Sequence, residues 1–170
     1  MTWPTHPGHM TDESPRRDSK WWGWGDPGTL PELDGEALAT LRERVGELKP
    51  SPRAVDLADF SLPDPAPLPA ALSEAAGPEA IFTGTEDRVR HATGCGYADL
   101  ARLRHGRLET APDAVVLPAD AEAVRRVLDA CAAERIAVVP FGGGTSVVGG
   151  IEPLRGPHHR LISLDLARLR

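Results

Sequence analysis

The sequence predicts an α+β fold with a small parallel or mixed sheet, preceded by a helical N-terminal extension. The first observation is a strand, a helix and a second strand in succession over residues 112–139, the unit from which parallel sheets are built. The second is the loop that follows at residues 142–150, where five of nine residues are glycine. The third is an alternating apolar and polar stretch at 161–166, which predicts a further strand returning beside this loop.

Shifts in composition divide the chain into three parts. Residues 1–19 are rich in proline and mixed charges, and they predict a disordered leader because they cannot bury enough apolar surface. Residues 20–85 are predicted to form a helical and proline-rich extension. Residues 86–170 are predicted to form the first part of the main domain, which the chain does not complete.

Three of the four tryptophans lie within four residues, at Trp21, Trp22 and Trp24. Indole rings bury large apolar areas and have a single donor to satisfy. We therefore expect these side chains to anchor the N-terminal segment on the surface of the domain. A direct contact with a substrate or a lipid is the alternative.

A helix is predicted from Asp34 or Gly35 until Pro50, because its apolar residues recur at spacings of three and four. These residues are Leu38, Leu41, Val45 and Leu48. Six prolines, at positions 50, 52, 63, 65, 67 and 69, then predict an extended linker that wraps the next domain. A short helix over residues 70–76 is expected to stop at Gly77 and Pro78.

Another short helix is predicted from Glu86 to about His91, with Thr85 as its N-cap. The cations Arg88, Arg90 and His91 allow two interpretations: contact with a bound diphosphate, or pairing with the neighbouring carboxylates or solvent. A turn over residues 94–96 follows.

The main domain begins with an apolar run at 114–117, which is typical of a strand buried on both faces. Asp120 is the predicted N-cap of the next helix. The apolar stripe of that helix consists of Val124, Val127, Leu128 and Cys131. Residues 136–139 form the second strand, which is expected to run parallel to the first.

The loop at 142–150 has the character of an anion site, because consecutive glycines let backbone N–H groups approach a ligand. A Walker loop is excluded because Gly144 is followed by Thr145 and Ser146 and no lysine. The Rossmann fingerprint also fails, because Val147 stands where its last glycine belongs. A glycine-rich turn without a ligand remains the alternative.

Composition sets outer limits on function. The formal charge of −6 gives no general attraction to nucleic acid or to anionic lipid. Two cysteines, Cys95 in a loop and Cys131 on a helix, do not indicate a disulfide framework and favour the cytoplasm. No stretch is long and apolar enough for a transmembrane segment. His105 is interpreted as a turn residue, because no ligand at metal-binding spacing accompanies it.

The motif of residues 140–146, with the strand at 114–118 and the amphipathic helix before it, resembles the FAD-binding domain of vanillyl-alcohol-oxidase-type (PCMH-type) flavoproteins. Residues 20–25, 90–94 and 103–106 look most like alkyldihydroxyacetonephosphate synthases and their bacterial relatives. The resemblance covers about residues 20–170. It implies that this chain is the N-terminal portion of a longer flavoenzyme and carries one half of the FAD site.

The resemblance also implies which residues bind FAD. They are Pro140, Phe141, Gly142, Gly143, Gly144, Thr145 and Ser146. The glycine amides and the two hydroxyls would hold the diphosphate, while the proline and the phenylalanine would set the entry and help cover the cofactor. Members with covalent flavin carry a histidine in a Gly-Gly-His pattern, and Thr145 occupies that place, so non-covalent FAD is expected. No catalytic residue is assigned, because the acid and base groups are expected beyond Arg170.

Three functions follow as alternatives from this resemblance and from the residues. The first is a synthase-like exchange of an acyl for an alkyl group in ether lipid synthesis, with no net electron transfer. The second is a D-lactate or glycolate-type dehydrogenase that uses FAD. The third is a nucleotide-binding module without catalysis. The expected partner is a small or lipid-like substrate bound mainly by other parts of the protein, in the cytoplasm or at a membrane surface, and a homodimer is left open.

Overall fold

The computed structural model describes residues 19–25, 28, 33–49 and 53–169. Almost all of the expected leader lies outside these residues. The elements in chain order are α1 (Gly35–Val45), α2 (Ala70–Ala76), β1 (Ile81–Phe82), α3 (Thr85–Arg90), α4 (Tyr97–Arg104), β2 (Ala114–Val116), α5 (Ala121–Glu134), β3 (Ile136–Phe141) and β4 (Arg160–Asp165). The predicted α+β fold is confirmed.

The sheet has four strands in the order β1-β2-β4-β3. Strand β1 is antiparallel to β2, while β4 pairs in parallel with both β2 and β3. The two strands joined by α5 are therefore parallel, as expected, but they are not neighbours because β4 lies between them. Strand β3 forms one edge, where Pro140, which has no N–H to donate, is tolerated.

The main core lies between the sheet and helices α2 and α5. Its fully buried members include Leu72, Val127 and Ile162. A second cluster surrounds Phe60 and Val89 and also takes in α4. Strand β4 is almost entirely buried, which agrees with its central place between parallel neighbours.

Several sequence predictions of the helices are correct. Helix α2 has the predicted bounds, and Gly77 ends it at a φ of 87°. The side chain of Asp34 accepts a hydrogen bond from the N–H of Ala37 and caps α1. The Asp120 carboxylate caps α5 in the same way through Ala123.

Three other predictions about the helices are wrong. Helix α1 ends at Val45, not at Pro50, because Gly46 takes a φ of 81° that only glycine adopts readily. Thr85 lies inside α3, whose N-cap is Gly84. Leu128 belongs to the predicted stripe of α5 but is 43% exposed.

Residues 53–69 of the proline-rich segment contain a short 3-10 helix at Leu57–Asp59, and polar contacts hold the segment to the domain. Pro50 and Pro52 lie outside the described residues. The N–H of Ala66 donates to Asp113, and Arg88 donates to the carbonyl of Pro63. Arg160 donates to the carbonyl of Pro67. These bonds agree with the expected wrapping linker. Across the described ranges, each helix is too short or too polar to cross a bilayer.

Candidate functional site

The glycine loop, defined here as residues 142–150, leaves the carboxyl end of β3. Open sheets of parallel strands bind ligands at this end. Gly144 and Gly149 have φ values of 65° and 74°, in the region that favours glycine. Gly142 and Gly143 are exposed. The loop therefore presents bare backbone to its surroundings.

One side of the loop packs directly on the turn at residues 94–96. The N–H of Cys95 donates to the carbonyl of Ser146 at 2.7 Å. A Cβ on Gly94 would overlap that same carbonyl group, and a Cβ on Gly96 would lie 3.1 Å from the oxygen of Val147. Gly94 is thus required for this close backbone approach, whereas a Cβ at Gly96 would ask its neighbours to shift by a few tenths of an ångström.

The far side of the loop is fastened to α4 by an ion-pair network. Arg102 donates to Glu152 at 3.1 Å and to Asp99 at 2.6 Å. The hydrogen bond to Asp99, together with Glu152, raises the pKa of the Arg102 guanidinium despite its partial burial. The N–H of Glu152 donates to Gly149, so α4 fixes the end of the loop.

A cavity of about 250 Å³ lies between the glycine loop, α4 and the N-terminal residues. It is lined by Ser19, Lys20, Trp21, Gly23, Trp24, Gly25, Arg90, Thr93, Gly94, Cys95, Leu100, Leu103, Phe141, Gly143, Gly144 and Thr145. Small-molecule sites usually measure roughly 300–1,000 Å³. The cavity therefore has room for part of a dinucleotide.

Four of the seven predicted cofactor residues line this cavity, namely Phe141, Gly143, Gly144 and Thr145. Pro140, Gly142 and Ser146 are not among its lining residues. The hydroxyl oxygen of Ser146 accepts a hydrogen bond from the N–H of Gly150 at 3.1 Å, which closes the loop on itself. Contact of Pro140, Gly142 and Ser146 with a cofactor remains a prediction.

A profile of the FAD binding domain family matches residues 112–170, which include β2, α5, β3, the glycine loop and β4. Protein Rv2250A of Mycobacterium tuberculosis is 34% identical over 111 residues, which cover 58% of this chain and 68% of that protein. The chain belongs to the family of FAD-binding flavoproteins.

The similarity extends beyond this domain. The alkyldihydroxyacetonephosphate synthase of Trypanosoma brucei brucei is 31% identical over 175 residues, which cover 88% of this flavoprotein chain and 28% of the synthase. A solved structure of an alkyldihydroxyacetonephosphate synthase has the same fold, with a TM-score of 0.77 at 24% identity, over 89% of this chain and 33% of that one. The chain spans about a third or less of these relatives.

The two arginines of α3 in this flavoprotein, Arg88 and Arg90, are both hydrogen-bonded to other parts of the chain. Arg88 is buried and donates to the carbonyl groups of Pro112 and Pro63. Burial lowers its pKa. Arg90 does line the cavity, and it pairs with Glu86 at 2.9 Å as the second interpretation expected.

His91 is fully buried behind the loop and supports its first residues. Nδ1 lies 2.8 Å from the carbonyl oxygen of Asp87, and Nε2 lies 2.9 Å from the Asp165 carboxylate. Both ring nitrogens thus lie within hydrogen-bond distance of an oxygen atom. The ring also packs 4.4 Å from that of Phe141. His91 thereby joins α3, β4 and the start of the loop.

The two cysteines of the flavoprotein chain differ in their surroundings. Cys131 is buried in the main core, and this burial raises the pKa of its thiol to about 11. Cys95 is half-buried in the wall of the cavity. Neither forms a disulfide, and the described ranges contain no group of three or more side chains placed to bind a metal.

Sequence reasoning missed several residues that shape the site. Gly94 and Gly96 carry the loop contact, and Lys20 forms part of the cavity wall. Trp24, for which a direct contact with a substrate was the alternative interpretation, also lines the cavity. Two glycines flanking Cys95 were the available signal for a close backbone approach. Nothing in the sequence indicated that the tryptophans would lie opposite the glycine loop.

Proposed function

We propose that this chain holds the diphosphate of non-covalently bound FAD in a flavoenzyme that resembles alkyldihydroxyacetonephosphate synthase. One observation carries the proposal: a loop with bare backbone, at the carboxyl end of a parallel strand, lines a cavity of partial-dinucleotide size. The match to the FAD binding domain family supports it.

The loop fits a diphosphate by its shape and by its chemistry. An added Cβ on Gly142 meets no atom within 4 Å, so the backbone there is open on the side where a ligand would approach. Backbone N–H groups in such a loop bind anions without a charged side chain. In this proposal Gly143, Gly144 and Thr145 hold the diphosphate, and Phe141 bounds the site.

Bound FAD would supply the reactive isoalloxazine ring, and the chain would bind and orient it. Non-covalent attachment is supported by the chain's own residues. Thr145 stands at the position of the histidine found in covalent relatives. His91, the nearest histidine in sequence to the cavity lining, is buried with both nitrogens hydrogen-bonded. Acid precipitation of the holoprotein should release the flavin into the supernatant.

Gly143→Val tests the loop. A Cβ at Gly143 lies 3.4 Å from the nearest side-chain atom, an ordinary contact, so the fold should persist while the larger side chain blocks the diphosphate. We expect the purified full-length variant to lose its yellow colour and to recover no FAD on titration. Gly35→Val is the matched control, because its added Cβ meets nothing and it lies on α1, away from the cavity lining. Stoichiometric FAD in Gly143→Val would contradict the proposal.

The reaction of the whole protein is proposed from its relatives. The synthase match covers 88% of the chain and so includes residues well before the FAD binding domain. We therefore propose that the whole protein replaces the acyl group of acyl-dihydroxyacetone phosphate with the alkyl group of a fatty alcohol and releases a fatty acid. This lipid-like substrate would be held mainly by residues outside this chain. Product formation from that substrate and a fatty alcohol, without an electron acceptor, tests it. Bleaching of the flavin by D-lactate or glycolate would instead indicate a dehydrogenase.

A cytoplasmic location is part of the proposal. Its support is that the sequence has two cysteines, Cys95 and Cys131, and neither forms a disulfide. Fractionation of cells that express the natural protein, with and without a high-salt wash of the membranes, distinguishes a cytoplasmic from a peripheral membrane location.

A further inference from the structure

The tryptophan segment, defined here as residues 19–25, lies across the cavity from the glycine loop. Six of its seven residues line that cavity. Trp22 does not, and it instead lines a separate cavity with Arg104 and residues 53–57. The segment is separated from the glycine loop by more than a hundred residues in sequence, so the fold alone brings them together.

One link between the segment and the glycine loop passes through Cys95. The indole Nε1 of Trp24 donates to the carbonyl of Cys95 at 3.2 Å. The N–H of Cys95 donates to the carbonyl of Ser146 at 2.7 Å. The position of Trp24 is thus coupled to the loop by two consecutive hydrogen bonds.

Two further contacts hold the segment in place. Arg90 donates to the carbonyl of Ser19 at 2.8 Å. The ring of Trp21 packs edge-on against Phe60, with ring centroids 5.3 Å apart, and so joins the second core cluster. The backbone of the segment folds back on itself through a bond from the N–H of Lys20 to the carbonyl of Gly25.

The positive charge at the cavity comes from residues outside the glycine loop. Residues 136–154 contain no lysine or arginine, so the loop offers a diphosphate only neutral donors. The cations that line the cavity are Lys20 and Arg90. Lys20 is 9% exposed, and its Nζ lies 5.5 Å from the ring centroid of Trp22.

We propose that the tryptophan segment is the second wall of the dinucleotide site, with Trp24 as an apolar surface against the ligand and Lys20 as the cation facing its diphosphate. This inference rests on the proposed function of the glycine loop. It adds a binding role for a segment that lies outside the matched FAD binding domain.

Substitutions in the full-length protein test the inference by titration of the apoprotein with FAD. Trp24→Leu removes the indole, and because Trp24 is 63% exposed the fold should persist. We expect its Kd for FAD to rise by about tenfold or more. Tyr97→Leu is the control, because Tyr97 is an exposed aromatic residue that does not line the cavity, and it should stay within about twofold of the wild type.

A second pair of variants tests the charge. Lys20→Met keeps the apolar stem and removes the ammonium group, and Lys49→Met is the control on an exposed lysine that does not line the cavity. Lys20→Met should weaken FAD and also ADP, which carries a diphosphate without a flavin. It should also reduce the salt dependence of binding.

The outcomes separate the two proposals. If the wild type binds no FAD, the proposed function fails. If the wild type binds FAD and Gly143→Val does not, but Trp24→Leu and Lys20→Met bind like the wild type, only the present inference is overturned. Equal weakening by Tyr97→Leu and Trp24→Leu would also overturn it, because the loss would then not depend on contact with the cavity.

Discussion

Gly94 determines how closely two backbone segments meet at the site. The carbonyl of Ser146 lies so close to Gly94 that no side chain fits between them, and the adjacent N–H of Cys95 bonds to that carbonyl. The glycine loop thus takes its position from a residue some fifty positions earlier, outside its own glycines.

Gly94→Ala should therefore displace the glycine loop while leaving the sheet intact. The added methyl group overlaps the backbone of Ser146, and backbone has little freedom to move aside. We expect FAD affinity to fall by about tenfold or more, with only a modest change in the unfolding transition. Gly35→Ala is the control, because its Cβ meets open space and Gly35 lies on α1, away from the cavity lining. Unchanged affinity in Gly94→Ala would show that the loop position does not depend on this contact.

At the level of elements, Asp113 joins four parts of the chain just before β2. Its carboxylate accepts hydrogen bonds from the N–H groups of Ala66 and Leu161 and from Arg155, the last at 2.6 Å. Burial alone raises the pKa of this carboxyl, but the bonds from Arg155 and the two N–H groups outweigh it. The pKa of Asp113 therefore lies below its ordinary value of 3.8.

This shift gives the stability a defined pH dependence. A carboxyl whose pKa is lowered by folding stabilises the protein above the unfolded pKa, and this contribution is lost as the pH falls through the folded pKa. Asp113→Asn should cost roughly 3 kcal/mol of unfolding free energy at neutral pH, because Arg155 loses its counter-charge and one of the two acceptor oxygens becomes an NH2 group that cannot accept. Urea unfolding across pH 7 to below about 3 should show the two proteins converging at the acidic end. A constant difference across that range would contradict the assignment.

At the level of the whole molecule, the sequence predicted the elements with strong local signals. The periodicity of α5, its cap at Asp120 and the apolar run of β2 were readable because each is decided by neighbouring residues. The prediction of an α+β fold and the prediction of a binding site at the glycine loop both rested on these elements. Helix α4 was not predicted, because its only buried apolar residues are Leu100 and Leu103 and its N-cap, Gly96, makes no side-chain bond.

The strand order and the cavity were not predictable by the same reasoning. That β4 lies between β2 and β3 depends on pairing across long stretches of chain, which no local pattern encodes. The approach of the tryptophan segment to the glycine loop depends on contacts with Arg90 and Cys95, which are themselves brought together only by folding.

Helix α1 contributes little to the described fold, and this leads to a final prediction. None of its residues is buried, and Val45 is 64% exposed. Val45→Glu should therefore change the unfolding free energy by less than about 0.5 kcal/mol. Val127→Ala in α5 is the contrasting variant, because Val127 is fully buried in the main core, and it should cost roughly 2 kcal/mol. Denaturant midpoints of the full-length protein measure both changes. A loss in Val45→Glu as large as that in Val127→Ala would show that α1 packs against a surface that the described residues do not include.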